Sequence, residues 1–288
     1  MRFIKMHGLG NDFVILDLRD AAEAPARAKL AAMTDRKRGI GCDQLIILEP
    51  RKNPDSDLYM RILNAPDADE AEACGNATRC VAMLVMDEGG KDKVTIETVA
   101  GLLSCWRELD GRITVDMGVP KFGWRDIPLS EECDTLYLPS PLIPLPEGRG
   151  KDALRQGEGD KAVGVNVGNP HAVFFVEDVE NFPVRELGPG VENNKLFPQK
   201  TNVEFVQVKS SKELRMRVWE RNSGETEACG SGACAVLVAA VRRGLSERKA
   251  DVVLDGGVLT IEWRESDDHI LMTGAAAYVF EGNLNDEF

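Results

Sequence analysis

The sequence predicts an α/β (α+β) protein made of two similar halves that arose by internal duplication, each with one apolar helix surrounded by strands. Three observations support this prediction: two nearly identical strings around a cysteine, a series of matching segments in the same order, and apolar patterns of both strand and helix length. Segments that recur in order at nearly constant spacing are not expected by chance. The mixture of patterns indicates the α/β class.

The two cysteine strings are AEACGNATRCVA, around Cys74, and ETEACGSGACA, around Cys229. Just over half of the 288 residues separate the two cysteines. Each string leads into an apolar stretch with helical spacing, which predicts two helices that begin at these cysteines. Glycines end both patterns, at Gly89 and Gly90 in the first and at Gly244 in the second. Because both helices are apolar nearly all round, we expect each to be wrapped by its own strands.

Strand-length segments flank these helices in the same order in both halves. One of the matches places Gln44 opposite Asn202. The most loop-like region, around residues 143–162, is predicted to be a surface insertion in the second half. The matched segments are GNDFVILD and GNPHAVFFVED, GCDQLIIL and KTNVEFVQV, LYMRILN and LRMRVWE, KVTIETVAGLLSCW and DVVLDGGVLTIEW, and RITVDMG and HILMTG.

The composition is that of a soluble globular protein, with 43% hydrophobic and 29% charged residues. The net charge of −13 argues against a nucleic acid or an anionic membrane surface as partner. No apolar run approaches membrane length, and the N-terminal segment lacks the apolar core of a signal peptide. With no export signal, these features predict a cytoplasmic protein.

The seven cysteines include no CxxC pair, and with no export signal we expect them to be reduced thiols. The chain has three histidines and no Cys/His cluster, so no metal site is predicted. Most cysteines in proteins are small buried residues without chemical function. We expect that role for the five cysteines outside the two helix starts, which are Cys42, Cys80, Cys105, Cys133 and Cys234.

Cys74 and Cys229 allow two interpretations, because either one alone could also be a buried and inert residue. The duplication of the Cys-Gly pair favours a chemical role. At a helix start, unpaired N–H groups and the helix dipole are expected to lower the pKa of a thiol. Two such thiols on opposite faces of one carbon could invert its configuration without a metal or a cofactor. A substrate carboxylate would fit the residues that follow the cysteines, which are Gly75, Asn76, Gly230 and Ser231.

A set of polar residues lies at the ends of the predicted strands in both halves. Each of them alone is explained equally well by turn formation, but as a paired set they resemble the lining of a binding site. Glu220 is suited to hold an ammonium group and Arg221 a carboxylate. His171 is predicted either to tune a nearby thiol or to be a core histidine. The set comprises Asn11, Gln44, Asn64, Asn169, Asn202, Glu220 and Arg221.

Several of these segments together resemble the diaminopimelate epimerase family. The resemblance covers residues 3 to 282, and the combination is far more specific than any single segment. The segments that carry it are FIKMHGLGNDFVILD, DRKRGIGCDQLIIL, MRILNA, ACGNATRCVA, VNVGNPHAVFFVEDV, TNVEFVQV, RVWERNSGETEACGSGACA, GGVLTIEW and MTGAAAYVFEG.

The resemblance implies an isomerase that interconverts LL- and meso-diaminopimelate in lysine and peptidoglycan biosynthesis, without a cofactor and commonly as a homodimer. It implies two halves, at residues 1–118 and 119–274, each a rolled mixed sheet around a central helix, with a C-terminal strand at 275–288 returning to the first half. Cys74 and Cys229 would be the acid/base pair, with His171 and Glu220 influencing their pKa values. The implied substrate-binding residues are Asn11, Gln44, Asn64, Gly75, Asn76, Asn169, Asn202, Glu220, Arg221, Gly230 and Ser231.

The chain departs from the family pattern at three places. The loop before Cys74 reads NAPDADEAEAC, with Pro66-Asp67-Ala68-Asp69 in place of Asp-Gly-Ser, so it is one residue longer. Ala77 replaces a usual glycine, and Asn222-Ser223 replaces a usual Gly-Ala. Asn222 is the best non-glycine residue for a turn that requires a positive φ angle.

Three other functions remain compatible with parts of the sequence. A proline or hydroxyproline racemase, or another amino-acid epimerase, would keep the fold and change the substrate. A non-catalytic amino-acid-binding protein is disfavoured by the two retained Cys-Gly pairs, and a thiol redox protein by the lack of CxxC. Arg221 and the paired amides favour a substrate with a second charged end, which is the case for diaminopimelate.

Overall fold

The structure is a computed structural model that describes residues 1–20, 24–71, 73–139 and 161–285. The chain forms two compact units. The first comprises Met1–Asp116 together with the chain from Thr273 onward, and the second comprises Met117–Met272. Most of the predicted insertion at 143–162 lies outside the described residues. Within the described part of the chain, no helix is both long and apolar enough to span a membrane.

The chain passes twice through the same order of strands and helices, and the two passes are called the first and the second series. The first series is β1 (Arg2–Gly8), β2 (Asn11–Asp17), α1 (Arg27–Thr34), β3 (Gln44–Glu49), β4 (Leu58–Asn64), β5 (Asp69–Ala71), α2 (Gly75–Gly89), β6 (Lys93–Thr98), β7 (Gly101–Arg107) and β8 (Ile113–Asp116). The second series is β9 (Val163–Asn166), β10 (Pro170–Phe175), α3 (Val184–Glu192), β11 (Asn202–Ser210), β12 (Glu213–Glu220), β13 (Gly224–Thr226), α4 (Gly230–Arg242), β14 (Lys249–Leu254), β15 (Gly257–Trp263) and β16 (Ile270–Gly274). A last strand, β17 (Ala277–Asn283), follows.

Strand pairing is also the same within the two units. In the first unit β2 and β3 are parallel, β3 and β4 antiparallel, β4 and β6 parallel, and β6 and β7 antiparallel. In the second unit the pairs β10–β11, β11–β12, β12–β14 and β14–β15 repeat these directions. This repetition confirms the predicted fold class, a mixed sheet built twice by duplication.

Each unit has one central helix, and both helices begin and end where the sequence predicted. In α2 every residue from Gly75 to Ala82 is buried, because β1, β6, β7 and β8 pack around it. Gly90 closes this helix in the left-handed conformation at φ 58°. In α4 the residues from Gly232 to Ala240 are buried against strands of the second unit. Gly244, at φ 68°, follows the end of α4.

The strands beside these helices are covered on both faces, which explains why the sequence shows continuous apolar runs rather than alternation. In the first unit, side chains on one face of β2 and β3 pack on α1 in a cluster that includes Val14, Leu16, Leu30 and Leu45. In the second unit, α3 covers the corresponding face of β10 and β11 in a similar way. The opposite faces of these strands are left for the central helices.

The C-terminal strand β17 pairs with β1 in the first unit. Three consecutive apolar side chains on it are about half exposed, which are Tyr278, Val279 and Phe280. Exposed apolar residues in sequence on one strand are unusual for a surface that faces only water.

The expectation that five cysteines are inert is tested by their burial. Four of them, Cys42, Cys80, Cys105 and Cys234, are buried, whereas Cys133 is only partly buried against the core of the second unit. Burial raises the pKa of Cys42 to about 11 and that of Cys80 to about 12. These two thiols are therefore protonated at neutral pH, as inert cysteines should be.

Candidate active site

Cys74 occupies the N-cap position of α2, where the chain leaves an extended conformation at φ −149° and ψ 104°. Its Sγ accepts a hydrogen bond from the backbone N–H of Ala77 at 3.5 Å. Its backbone carbonyl accepts a hydrogen bond from the Thr78 N–H at 2.9 Å, which is the first bond of the helix. The thiol thus occupies the place that a serine or aspartate side chain usually takes at a helix start.

A chain of amide and guanidinium contacts lies beside this thiol. The fully buried Arg79 donates to Asn76 Oδ1 at 3.0 Å, and Asn76 Nδ2 donates to Asn11 Oδ1 at 3.3 Å. The same Asn11 oxygen lies 3.8 Å from Cys74 Sγ. The Asn11 amide nitrogen donates to Asp43 at 2.9 Å, so the orientation of this side chain is set from both ends.

Gln44 and Asn64 face each other across the antiparallel pair β3–β4, at the first residue of one strand and the last of the other. Gln44 Nε2 donates to Asn64 Oδ1 at 2.8 Å. Gln44 Oε1 is buried and has no hydrogen-bond partner among the described residues. A buried acceptor without a partner is uncommon and suits a donor group of a ligand, such as an ammonium.

The loop that departs from the family pattern forms the turn of the β4–β5 hairpin, in which Asn64 pairs with Asp69. Ala68 takes up the left-handed conformation at φ 55° and is buried. Arg27, on α1, donates to the carbonyl of Asp67 at 3.0 Å and forms an ion pair with Asp69. The extra residue is therefore accommodated in a turn that α1 anchors.

Cys229 repeats the arrangement of Cys74 in the second unit. It caps α4 from an extended conformation at φ −122° and ψ 109°, and its Sγ accepts from the backbone N–H of Gly232 at 3.4 Å. Ser231 Oγ lies 3.6 Å from the sulfur. Cys229 is only 4% exposed, so this thiol is more deeply buried than Cys74.

The expected lowering of the pKa at a helix start is wrong for Cys229. Burial raises the pKa of this thiol well above its ordinary value, and the carboxylates of Glu220 and Glu204 raise it further. Hydrogen bonds from Ser231 and Gly232 act in the opposite direction but do not outweigh these effects. Cys229 is consequently a protonated thiol in the resting site.

Glu220, the last residue of β12, also has a raised pKa, because its carboxyl is removed from solvent. Hydrogen bonds with Thr226 and Cys229 oppose this rise. The Glu220 carboxyl therefore contacts the Cys229 thiol directly. This contact fits the influence on the thiol pKa that the family resemblance implies for Glu220.

His171 lies on β10 and bonds through both ring nitrogens. Nδ1 is 2.7 Å from Glu204 Oε1, and Nε2 is 2.8 Å from Asn169 Oδ1. The side chains of His171 and Glu204 are fully buried. Glu204 was not among the residues predicted for the site. The available signal was a carboxylate inside the otherwise apolar strand TNVEFVQV, since acidic residues are almost never fully buried unless they are paired.

Asn202 and Arg221 are connected through the backbone. Asn202 donates to the carbonyl of Pro170 at 2.9 Å and accepts from the backbone N–H of Arg221 at 3.0 Å, so both ends of its amide are engaged. The Arg221 guanidinium has no partner among the described residues. The turn that follows requires the left-handed conformation at Asn222, with φ 64°, and Lys200 donates to the Asn222 side chain at 2.7 Å.

Contacts within each unit connect several of the predicted site residues. In the first unit Asn11 contacts Cys74 and Asn76, and Gln44 contacts Asn64. In the second unit the contacting pairs are Asn169 with His171, Asn202 with Arg221, Glu220 with Cys229, and Cys229 with Ser231. No group of three or more metal-ligating side chains occurs within the part of the chain that the structure describes.

Comparison with known proteins identifies the family. The sequence matches the model of a family described as diaminopimelate epimerase over residues 3–123 and 163–279. The chain belongs to the diaminopimelate epimerase family. It is 51% identical over 285 residues to the diaminopimelate epimerase of Rhodospirillum centenum, covering 99% of this chain and 92% of the relative. It is 47% identical over 283 residues to that of Acidiphilium cryptum, covering 98% and 96%.

Solved structures agree with the fold of a diaminopimelate epimerase. A predicted epimerase from Pseudomonas aeruginosa has a TM-score of 0.71 at 18% identity, with 98% of each chain covered. A hydroxyproline epimerase from Agrobacterium vitis has a TM-score of 0.66 at 16% identity, covering 98% of this chain and 91% of that one. At these identities the structures support the shared fold only. The family membership, the fold class and the assignment to the isomerases are confirmed.

Proposed function

We propose that this protein interconverts LL- and meso-2,6-diaminopimelate by a cofactor-independent mechanism in which Cys74 and Cys229 are the two acid/base groups. The observation that carries the proposal is the duplicated cap. Each unit begins its buried central helix with a cysteine whose sulfur accepts an N–H of the first turn. A residue kept at the same place in both halves of a duplicated chain, within this family, is best explained by a shared chemical role.

In the proposed reaction one thiolate removes the proton from the substrate Cα. The electron pair of the broken C–H bond spreads into the α-carboxylate, and the other thiol delivers its proton to the opposite face of the carbon. The first cysteine ends as a thiol and the second as a thiolate, so the reverse reaction exchanges their roles. The protonated state of Cys229 fits a donor in the direction in which Cys74 acts as base.

The charge that develops on the substrate carboxylate needs stabilisation. The first N–H groups of α2 and α4 have no partner within their helices, and the helix dipoles favour negative charge there. Gly75-Asn76 and Gly230-Ser231 supply these groups next to the two cysteines. Fixed donors of this kind stabilise a developing anion without reorganisation, which is the largest contribution in many enzymes.

The polar residues of the two units are suited to the other substrate groups. Gln44 Oε1, which has no partner among the described residues, offers an acceptor to an ammonium group, and Glu220 offers a carboxyl in contact with Cys229. The Arg221 guanidinium, likewise without a partner in the described part of the chain, offers donors to a carboxylate, which diaminopimelate carries at both ends. We infer that Asn11, Asn64 and Asn169 bind the substrate. Asn202 also positions the backbone of Arg221, and its amide keeps one N–H and one lone pair for the substrate.

We further propose that the protein acts in the cytoplasm, in lysine and peptidoglycan biosynthesis, as a homodimer. The three half-exposed apolar side chains of β17 support a dimer, because burial against a second copy would remove them from water. The substitution Phe280→Glu should shift the sedimenting species from dimer to monomer. A wild-type protein that sediments as a monomer at micromolar concentration would contradict this part of the proposal.

A substrate panel tests the proposed activity. Purified protein is incubated with LL-diaminopimelate, L-proline, trans-4-hydroxy-L-proline or L-lysine, and the stereoisomers are separated by chiral chromatography. The proposal expects inversion of diaminopimelate alone, because only this substrate presents an amino acid at both ends. Faster inversion of proline or hydroxyproline would instead make the protein a racemase of the same fold.

A further inference from the structure

The buried pair His171–Glu204 has a counterpart in the first unit that carries no charge. In the second unit His171 pairs with Asn202 across β10–β11, and Glu204 lies two residues further along β11. In the first unit the same register places Phe13 opposite Gln44, with Ile46 two residues further along β3. Both apolar residues are fully buried. The fold therefore accepts an apolar pair at this place, so folding alone does not require the His171–Glu204 pair.

Glu204 lies close to the sulfur of Cys229. A Cβ atom on Gly232 would lie 3.0 Å from Glu204 Oε1 and 3.2 Å from Cys229 Sγ, so the bare glycine is the point where carboxylate and thiol approach each other. The second oxygen of the carboxylate, Oε2, is buried and has no partner among the described residues. In the first unit Ala77 takes the place of Gly232, and Ile46 takes the place of Glu204.

The ionisable groups around Cys229 come from three of the strands that pack on α4. These are His171 on β10, Glu204 on β11 and Glu220 on β12. The ionisable residues of β14 and β15 pair at the surface instead, as Lys249 does with Glu262 at 2.9 Å. Both carboxylates disfavour a thiolate at Cys229. His171 Nδ1 lies 2.7 Å from Glu204 Oε1, the same oxygen that faces Gly232, and this hydrogen bond offsets the burial of Glu204.

We propose that Glu204 is a positioning residue that keeps the resting proton on Cys229, so that the two halves of the enzyme start each reaction in unequal states. This rests on the proposed two-cysteine reaction. A thiolate at Cys229 would lie beside two carboxylates, Glu204 and Glu220, whereas the corresponding positions of the first unit hold Ile46 and Asn64. Glu204 thereby favours Cys229 as the acid and Cys74 as the base in the unliganded enzyme. The isomer whose Cα proton Cys74 removes therefore binds a site whose two cysteines are already in the required protonation states.

The proton on each cysteine can be observed directly by NMR of protein labelled with 13C at cysteine Cβ, because the shift of this carbon reports thiol or thiolate. Seven signals are expected, and single Cys→Ala variants assign them. In Glu204→Gln the Cys229 signal should titrate at a pH lower by about one unit or more, since an approaching negative charge is removed. The Cys74 signal should not move. Glu204→Asp, which keeps the charge, should restore most of the wild-type behaviour.

Two further variants separate this role from a structural one. Glu225→Gln removes a partly buried carboxylate of the same unit that is paired with Arg185 and Arg217, and it should leave the Cys229 titration unchanged. If Glu204→Gln folds poorly, the double variant His171→Phe with Glu204→Ile copies the first unit and should fold, with Cys229 ionising more readily. An unchanged Cys229 titration in both Glu204 variants, or an equal shift in Glu225→Gln, would overturn the proposal.

Kinetics add a readout that lost stability alone would not give. The reaction equilibrium fixes the ratio of the forward and reverse kcat/KM values, so Glu204→Gln must change kcat/KM by the same factor in both directions. The separate values of kcat and of KM should nevertheless change by different factors in the two directions. Equal factors for kcat, and equal factors for KM, in both directions would contradict the inference. The NMR result does not depend on turnover, so a shifted Cys229 in a protein that does not invert diaminopimelate would refute the proposed function and leave the role of Glu204 intact.

Discussion

Gly232→Ala tests how closely the Cys229 sulfur is held. The added methyl group would meet Glu204 Oε1 at 3.0 Å and the Cβ and Sγ atoms of Cys229 at 3.2 Å each. Alanine in place of glycine favours a helix by up to about 1 kcal/mol, whereas crowding a packed interior costs about 1–3 kcal/mol. The free energy of unfolding should therefore fall by about 0–2 kcal/mol, which lowers Tm by at most about 8 °C.

The effect of Gly232→Ala on activity should be larger than its effect on stability. The buried carboxylate is bonded to His171 and cannot move far, so the thiol must shift. A displacement of a reacting group by about 1 Å can cost about 100-fold in rate, and we expect kcat/KM to fall by about 10- to 100-fold. The assays are thermal unfolding and epimerisation of LL-diaminopimelate.

Ala77→Gly is the matched control, because Ala77 has the same position relative to Cys74. This variant should lose up to about 1 kcal/mol of stability through helix propensity alone. Its kcat/KM should stay within about twofold of wild type, since no side chain is introduced beside the thiol. The reasoning is refuted if Gly232→Ala gains the full propensity term in Tm and keeps wild-type activity.

Two other substitutions have expected outcomes. Arg221→Ala should lower kcat/KM for diaminopimelate, because losing the charge-assisted pair between the guanidinium and a substrate carboxylate raises the activation free energy by about 2–5 kcal/mol. An unaltered kcat/KM would exclude contact between Arg221 and the substrate. Glu225→Gln should reduce the free energy of unfolding at neutral pH but not near pH 3. Burial raises the pKa of Glu225, but its hydrogen bonds with Arg185 and Arg217 lower the pKa below the ordinary value. The stabilisation by Glu225 is therefore present above the pKa of the unfolded state and is lost as the pH falls through the pKa of the folded state. Urea unfolding at both pH values measures this difference, and an equal loss at both would show that the ion pairs contribute nothing.

The repeated pattern of the sequence was enough to predict the two central helices and the order of the strands. Cys74 and Cys229 were predicted at the helix starts because short-range rules govern those positions, and Gly90 ends α2 for the same reason. Continuous apolar runs in β2 and β10 did not reveal what covers each face, because the short α1 has little periodic signal and α3 contains Pro189 in its interior.

The electrostatics of the site could not be predicted from the sequence. The rule for helix starts considers the N–H groups and the dipole, and it gave the wrong direction for the pKa of Cys229, because burial and two carboxylates from other strands outweigh both. Glu204 is far from Cys229 in the sequence and comes near it only because α4 packs on β11. In the same way, the sequence could not show that Asn202 bonds to the backbone of Pro170 and Arg221, which fixes the orientation of its amide.

The central claim is that each cysteine serves one face of the substrate carbon, and residual proton exchange in single-cysteine variants tests it most directly. Cys74→Ala and Cys229→Ala are each incubated in D₂O with LL- or meso-diaminopimelate, and deuterium at Cα is followed by mass spectrometry and NMR. The account predicts that neither variant inverts the substrate, and that each exchanges the Cα proton of only the configuration its remaining thiol can reach, with opposite preference in the two variants. Inversion by either variant at a substantial fraction of the wild-type rate, or the same stereochemical preference in both, would contradict the two-base mechanism.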